Sequence, residues 1–171
     1  MPESPSVRAP DLAARKQRAE KITMIAVYDA TMARLFDQAG IDVLLVGDSL
    51  GMTILGHNNT VAVTLDAMVH HTKAVVRGTK RALVVADMPF LSHRISEADT
   101  VRGAGRLLQE GGAAAVKLEG GQSVLGSVAR LVDAGVPVMG HLGLTPQSVH
   151  QLGGFRMQAK GEEAARILLE D

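Results

Sequence analysis

The stretch LFDQAGIDVLLVGD, residues 35–48, runs an amphipathic segment into a glycine, a short apolar run and an aspartate. The same order returns as AVVRGTKRALVVAD over 74–87, RLLQEGGAAAVKLE over 106–119 and RLVDAGVPVMGH over 130–141. These repeats end on Asp48, on Asp87, on Lys117 and Glu119, and on His141. An earlier run, ITMIAVYD (22–29), ends on Asp29 with no helical segment of that kind before it.

The repeat reads as helix then strand. Gly40, Gly78, Gly111 and Gly135 stand where a helix is expected to end in a left-handed residue, which glycine adopts without steric cost. The runs that follow are nearly continuous Val, Leu, Ile and Ala, the composition of parallel strands covered on both faces. Helix starts fall between them. Thr64 precedes LDAMVHHTKAVV, Ser96 precedes EADTVRGAGRLL with Asp99 at capping-box spacing, and Thr145-Pro146 reads as a cap followed by proline at the first helical position. Strand and helix in alternation mean an α/β fold with a parallel sheet.

Barrel or open sheet turns on the strand ends. No G-x-G-x-x-G follows a strand, so the dinucleotide fingerprint is missing. An open sheet gathers its site at one switch point, whereas a barrel brings every strand end to one mouth. Polar residues end four successive strands here, which favours a (βα)8 barrel of the TIM type. About five βα units are present, against ~250 residues for a whole barrel. The sequence stops at Asp171 inside GEEAARILLED, which reads as a helix cut short. Residues 1–20 are therefore expected to be a polar extension, and 21–171 the front portion of one barrel.

Composition narrows the function. The 171 residues carry 18 basic and 18 acidic side chains, so nothing in the charge balance attracts nucleic acid or an anionic membrane. There is no cysteine, which excludes disulfides, thiolate metal sites and a cysteine nucleophile. Aromatic residues make up 2%, too few for base-stacking platforms. With no spanning apolar run and no signal peptide, the expected location is the cytoplasm.

VGDSL (46–50) admits two chemistries. Gly-Asp-Ser-Leu after an apolar strand resembles the opening block of the GDSL esterases, in which the serine is the nucleophile. That use needs a histidine base and an acid to orient it, supplied in that family by a late Asp-x-x-His. No Asp here has His three residues on, and GHNN (56–59) lies too close to the serine to serve as a later block. The other chemistry is metal binding. Magnesium takes hard oxygen ligands, and a buried strand-end carboxylate is costly unless paired or bound to a cation. Asp48, Asp87 and Glu119 supply such groups in three successive repeats, although each alone could be a capping residue. Lys117 and Glu119 share a strand face, as a site lysine beside an acid or as a structural ion pair. His141 ends a strand, where a histidine taken alone is more often a satisfied hydrogen-bonding group than a catalyst. His70 and His71 lie mid-helix, and His57 lies in a glycine-containing loop.

VGDSLGM (46–52), ADMPF (86–90), VKLEGG (116–121) and GHLGLTPQSV (140–149), in this order and spacing, closely resemble the ketopantoate hydroxymethyltransferase family of pantothenate synthesis. The resemblance runs from about Lys21 to the end and includes HTKAVVRG and LGGFRMQAKG. It implies a (βα)8 barrel, assembled as a homo-oligomer, a decamer in the family. It also implies magnesium, with 5,10-methylenetetrahydrofolate as co-substrate and 3-methyl-2-oxobutanoate as substrate. Carried over by motif, Asp48 and Asp87 hold the metal with Glu119 close to it. Asp48, Ser49, Asp87 and Lys117 bind the 2-oxo acid, and His141 lies near the incoming hydroxymethyl group.

The resemblance also implies a glutamate base at the end of the next strand, past Asp171, so no residue of this sequence takes that role. Glu162, Glu163 and Glu170 belong to a helix. Two other readings stand beside this one. One is a shortened, inactive chain acting as an assembly or ligand-binding module. The other is a magnesium-dependent 2-oxo-acid enzyme of the phosphoenolpyruvate mutase and isocitrate lyase type, whose usual cysteine-bearing loop has no counterpart here.

Overall fold

A computed structural model describes residues 5–171. Five parallel strands form its sheet, β1 (Met24–Ala26), β2 (Val43–Val46), β3 (Leu83–Asp87), β4 (Ala115–Glu119) and β5 (Val138–His141). They pair in sequential order with no reversal, so there is no switch point. Sequential parallel pairing with crossovers of one hand keeps the helices on one face and curls the sheet, which is the arc of a barrel.

The outer face is covered by α2 (Ala30–Gln38), α4 (Leu65–Gly78), α5 (Glu97–Gln109) and α6 (Leu125–Asp133). Strand residues Leu44, Val46, Val84, Ala86, Val116 and Leu118 point outward into the main core, where they meet Ala33, Met68, Val75, Leu107 and Leu131 of those helices. A one-turn helix α3 (Leu50–Thr53) follows β2, and α7 (Val149–Leu152) and α8 (Glu162–Glu170) follow β5. Among the described residues no helix is long and apolar enough to cross a membrane.

The helix starts obey their local chemistry. Thr64 accepts from the Ala67 N–H and Ser96 from the Asp99 N–H, each an N-cap of the expected kind. Thr145 departs from expectation: its side chain makes no cap bond, and Pro146–Ser148 form a short 3-10 turn before α7. Asp29 is an N-cap as well, accepting from the Thr31 and Met32 N–H groups.

Two of the four glycines differ from expectation. Gly40 and Gly135 are left-handed, but the left-handed residue after α5 is Gly112 rather than Gly111. Gly78 is the last residue of α4, and a Cβ there would lie 2.3 Å from the Ala30 carbonyl oxygen. Its role is close approach of α4 to α2.

The first residues also differ from the polar extension that composition suggests. Helix α1 (Ala9–Gln17) and Val7 close the N-terminal end of the arc. Val7 is buried with the inward residues Val43, Leu83, Val85 and Ala115, and Leu12 packs against them. The Val7 N–H donates to the Arg81 carbonyl, and Arg15 pairs with Asp42 at 2.8 Å.

Candidate functional site

The inward face of the arc ends in a cavity of about 380 Å³ at the C-terminal ends of the strands. Its floor is apolar, made by Met24, Leu45 and Met139, and its polar wall contains Asp48, Ser49, Asp87, Lys117, Glu119 and His141. A cleft of about 430 Å³ lies at the other end beside Arg8, Arg15, Arg18 and Arg81. Three of those arginines already pair with Asp42 or Glu20, and that end of a barrel serves stability.

Strand register decides which polar groups meet. Asp87 and Lys117 are directly opposed on β3 and β4, and Glu119 is opposed to His141 on β4 and β5. The Lys117 ammonium donates to Asp87 Oδ1 at 2.5 Å, with both side chains largely buried. Lys117 therefore pairs across the sheet with Asp87 rather than along its own strand with Glu119. The Asp48 N–H donates to Asp87 Oδ2 at 3.1 Å, which brings the two strand-end aspartates side by side. Glu119 turns the other way: its Oε1 lies 3.3 Å from His141 Nδ1, without hydrogen-bond alignment, and its Oε2 accepts from the Gln147 N–H. Among the described residues no three His, Asp or Glu side chains converge closely enough to hold a metal ion together.

Electrostatics make the pair of aspartates unusual. Burial and then the neighbouring Asp87 charge push the Asp48 carboxyl up to about 7, against a hydrogen bond from Gln147 that favours the charged form. Burial also raises Asp87, opposed by the Lys117 ammonium. Two like-charged hard-oxygen groups, buried beside one cation, form a donor set suited to a small divalent ion with remaining positions open to water and substrate. The chemistry of the residues present thus fits a small divalent metal ion.

Three residues of the site region escaped the sequence reading. Tyr28, two positions past β1, hydrogen-bonds through its hydroxyl to Ser49 Oγ at 2.9 Å. The Tyr28 carbonyl is in turn anchored to His71 Nδ1 at 2.8 Å, so His71 ties α4 to the connection between β1 and α2 rather than to another helix, while His70 stays exposed. His57 is exposed in its loop. Gln147, in the turn after β5, is 5% exposed and donates through Nε2 to Asp48 Oδ2 at 2.8 Å and to the Met88 carbonyl at 2.9 Å. His93 is 1% exposed, and its Nε2 donates to the Glu119 carbonyl at 3.1 Å. Burial lowers the His93 pKa and keeps the ring neutral. Tyr28 was within reach of sequence signals, since a tyrosine next to a strand end often brings its hydroxyl to a polar partner. The other two come from connections without periodicity.

Comparison with known proteins fits this geometry. The sequence model of the family described as ketopantoate hydroxymethyltransferase matches residues 6–171, which takes in α1 as well as the barrel arc. The 3-methyl-2-oxobutanoate hydroxymethyltransferase of Syntrophomonas wolfei is 57% identical over 157 residues, covering 92% of this chain and 57% of the relative. That of Moorella thermoacetica is 58% identical over 165 residues, covering 96% and 61%. The chain thus spans about three fifths of the length of the curated relatives it matches. Among solved structures, phosphonopyruvate hydrolase superposes with a TM-score of 0.63 at 15% identity, over 86% of this chain and 55% of that one. For 2,3-dimethylmalate lyase, a member of the PEP mutase/isocitrate lyase superfamily, the TM-score is 0.61 at 18% identity, over 94% and 56%. At such identities the structures speak for the fold alone. The chain belongs to the ketopantoate hydroxymethyltransferase family.

Proposed function

We propose that this chain carries the substrate-binding part of a hydroxymethyltransferase that converts 3-methyl-2-oxobutanoate to 2-dehydropantoate, with 5,10-methylenetetrahydrofolate as one-carbon donor. Residues 21–171 would then be the first part of its (βα)8 barrel. The observation that carries the reading is the buried trio Asp48, Asp87 and Lys117 at the rim of a cavity with an apolar floor.

Asp48 and Asp87 would hold magnesium, with Glu119 behind them, and the ion supplies Lewis-acid stabilisation of negative charge developing on the 2-oxo group. Lys117 and Ser49 take the substrate carboxylate, the first as a point charge and the second as a hydroxyl donor. Met24, Leu45 and Met139 receive the branched alkyl end and keep water from it. The C3 proton passes to a base that we assign to no residue of this chain. The resulting carbon nucleophile takes the one-carbon unit, water supplies the new hydroxyl, and tetrahydrofolate leaves. His141, at the β5 end, stands as an auxiliary group beside the new hydroxymethyl.

Titration calorimetry of 3-methyl-2-oxobutanoate into the chain, with and without magnesium, tests the reading. Magnesium-dependent binding, lost in Asp48→Ala and Asp87→Ala, is expected. No binding by a chain that circular dichroism shows to be folded, or binding by Asp87→Ala as tight as by the parent, overturns it.

A further inference from the structure

We propose that Gln147 is the positioning residue of the strand-end site, holding the Asp48 and Glu119 carboxylates in place from the connection after β5. The proposal rests on the reading of those two carboxylates given above.

Every N–H of Gln147 is spent on the strand ends. Its backbone N–H donates to Glu119 Oε2 at 3.0 Å, at the end of β4. Its side-chain nitrogen donates to Asp48 Oδ2 beyond β2 at 2.8 Å and to the Met88 carbonyl beyond β3 at 2.9 Å. One residue thus ties together the ends of three strands while following a fourth. The turn makes the backbone bond available: in the first turn of a helical segment the N–H groups lack partners within it, and Pro146 fixes its direction.

The amide orientation is dictated rather than assigned by convention. Two acceptors, a carboxylate and a carbonyl, flank one end of the amide, so that end must be the nitrogen. The carbonyl end, Oε1, is left buried with no partner. A buried acceptor without a donor carries a cost that offsets much of what the donated bonds contribute. Net stabilisation is therefore a poor account of why a glutamine sits there. Aiming the carboxylates is a better one: among the described residues Gln147 is the sole donor to the Asp48 side chain. Groups that orient ligating carboxylates act at one remove, and their loss weakens metal binding by about 10- to 100-fold.

Two variants test this in the chain as it exists. Gln147→Met keeps the volume but removes the side-chain donor, and Gln147→Asn keeps the amide but falls one methylene short. Magnesium titrated by calorimetry should bind both about tenfold or more weakly than the parent. In both, amide hydrogen exchange measured by NMR should be at least about tenfold faster at Asp48 and Met88 and unchanged at the strand centres Val85 and Val116, with thermal midpoints close to the parent's. If the parent itself binds no magnesium, the metal reading fails, and the exchange pattern still decides the role of Gln147. Unchanged exchange at the strand ends, uniformly faster exchange with a lowered midpoint, or failure of both variants to fold would each overturn the proposal.

Discussion

Asp87 and Lys117 face each other in register on β3 and β4 and meet at 2.5 Å, with side-chain exposures of 5% and 11%. This pair divides the site. The free side of Asp87 receives the Asp48 N–H, and Lys117 looks onto the cavity with Glu119 two residues further along its strand. Register puts Asp87 opposite Lys117, with Glu119 on the same strand face two residues on, whereas Asp48 reaches Asp87 from the turn after β2.

Removing one member of that pair should cost more than removing both. Lys117→Met leaves the Asp87 carboxyl buried without its cation, a loss of about 3 kcal/mol in unfolding free energy. Adding Asp87→Asn removes the orphaned charge, so the double variant should recover most of that loss. Urea denaturation of the parent, both single variants and the double variant closes the cycle. A double variant as unstable as the sum of the singles would mean that the two groups do not depend on each other.

Ser49 and Tyr28 should behave as one unit in substrate binding. Ser49→Ala removes a hydroxyl that the proposed reading places on the substrate carboxylate, so affinity for 3-methyl-2-oxobutanoate should fall by roughly tenfold. Tyr28→Phe frees the Ser49 hydroxyl to rotate and should weaken binding by a smaller factor, roughly threefold. Because Tyr28 acts through Ser49 Oγ, the double variant should bind no worse than Ser49→Ala alone. Magnesium affinity should hold in all three, as calorimetry would show.

What was legible in the sequence follows from how each residue reaches the site. Asp48, Asp87, Lys117, Glu119 and His141 close apolar runs of fixed period, and a parallel strand carries such a residue to its C-terminal end wherever the helices lie. The five strands and the barrel topology rest on the same signal. Gln147, His93 and the direction taken by Glu119 arise in connections, where direction depends on backbone geometry that no period encodes. Residues 5–20 misled for a related reason: Val7 and Leu12 are isolated apolar positions among charges, and only the open end of the arc shows what they cover. Gly78 illustrates a further limit, since a glycine at a helix end signals a left-handed residue as readily as a close backbone approach.

Asp42 should dominate the acid response at the end of the barrel away from the site. Burial raises its carboxyl, but bonds from the Thr23 N–H, the Arg15 guanidinium and the Thr23 hydroxyl outweigh this and hold it at about 2, below the ordinary 3.8. In the unfolded chain the group binds its proton at the higher value, so the native state is favoured above pH 4. The advantage shrinks as pH falls through the window from about 4 to about 2. It amounts to about 2 kcal/mol at neutral pH. Asp42→Asn should therefore lower the urea midpoint clearly at pH 7 and much less at pH 2. An equal loss at both would assign the effect to packing rather than charge.

Two glycine-to-alanine changes within helices should have opposite signs. At Gly105, inside α5, an added Cβ meets nothing within 4 Å, so alanine gains helix propensity and should stabilise by up to about 1 kcal/mol. At Gly78 the same methyl would stand 2.3 Å from the Ala30 carbonyl oxygen and 3.0 Å from its Cα, a contact with backbone that cannot rotate away. Relief requires the start of α2 to move off α4, which strains the packing of Ala33 and Val75 beneath it, and the expected loss is about 3 kcal/mol. For a chain of this size that is a drop of about 10 °C in Tm, against a rise of a few degrees for Gly105→Ala. Differential scanning calorimetry separates the two easily. If Gly78→Ala melts with the parent, α2 can slide without cost, and the close crossing would then not be what fixes the β1–β2 connection that brings Tyr28 to Ser49.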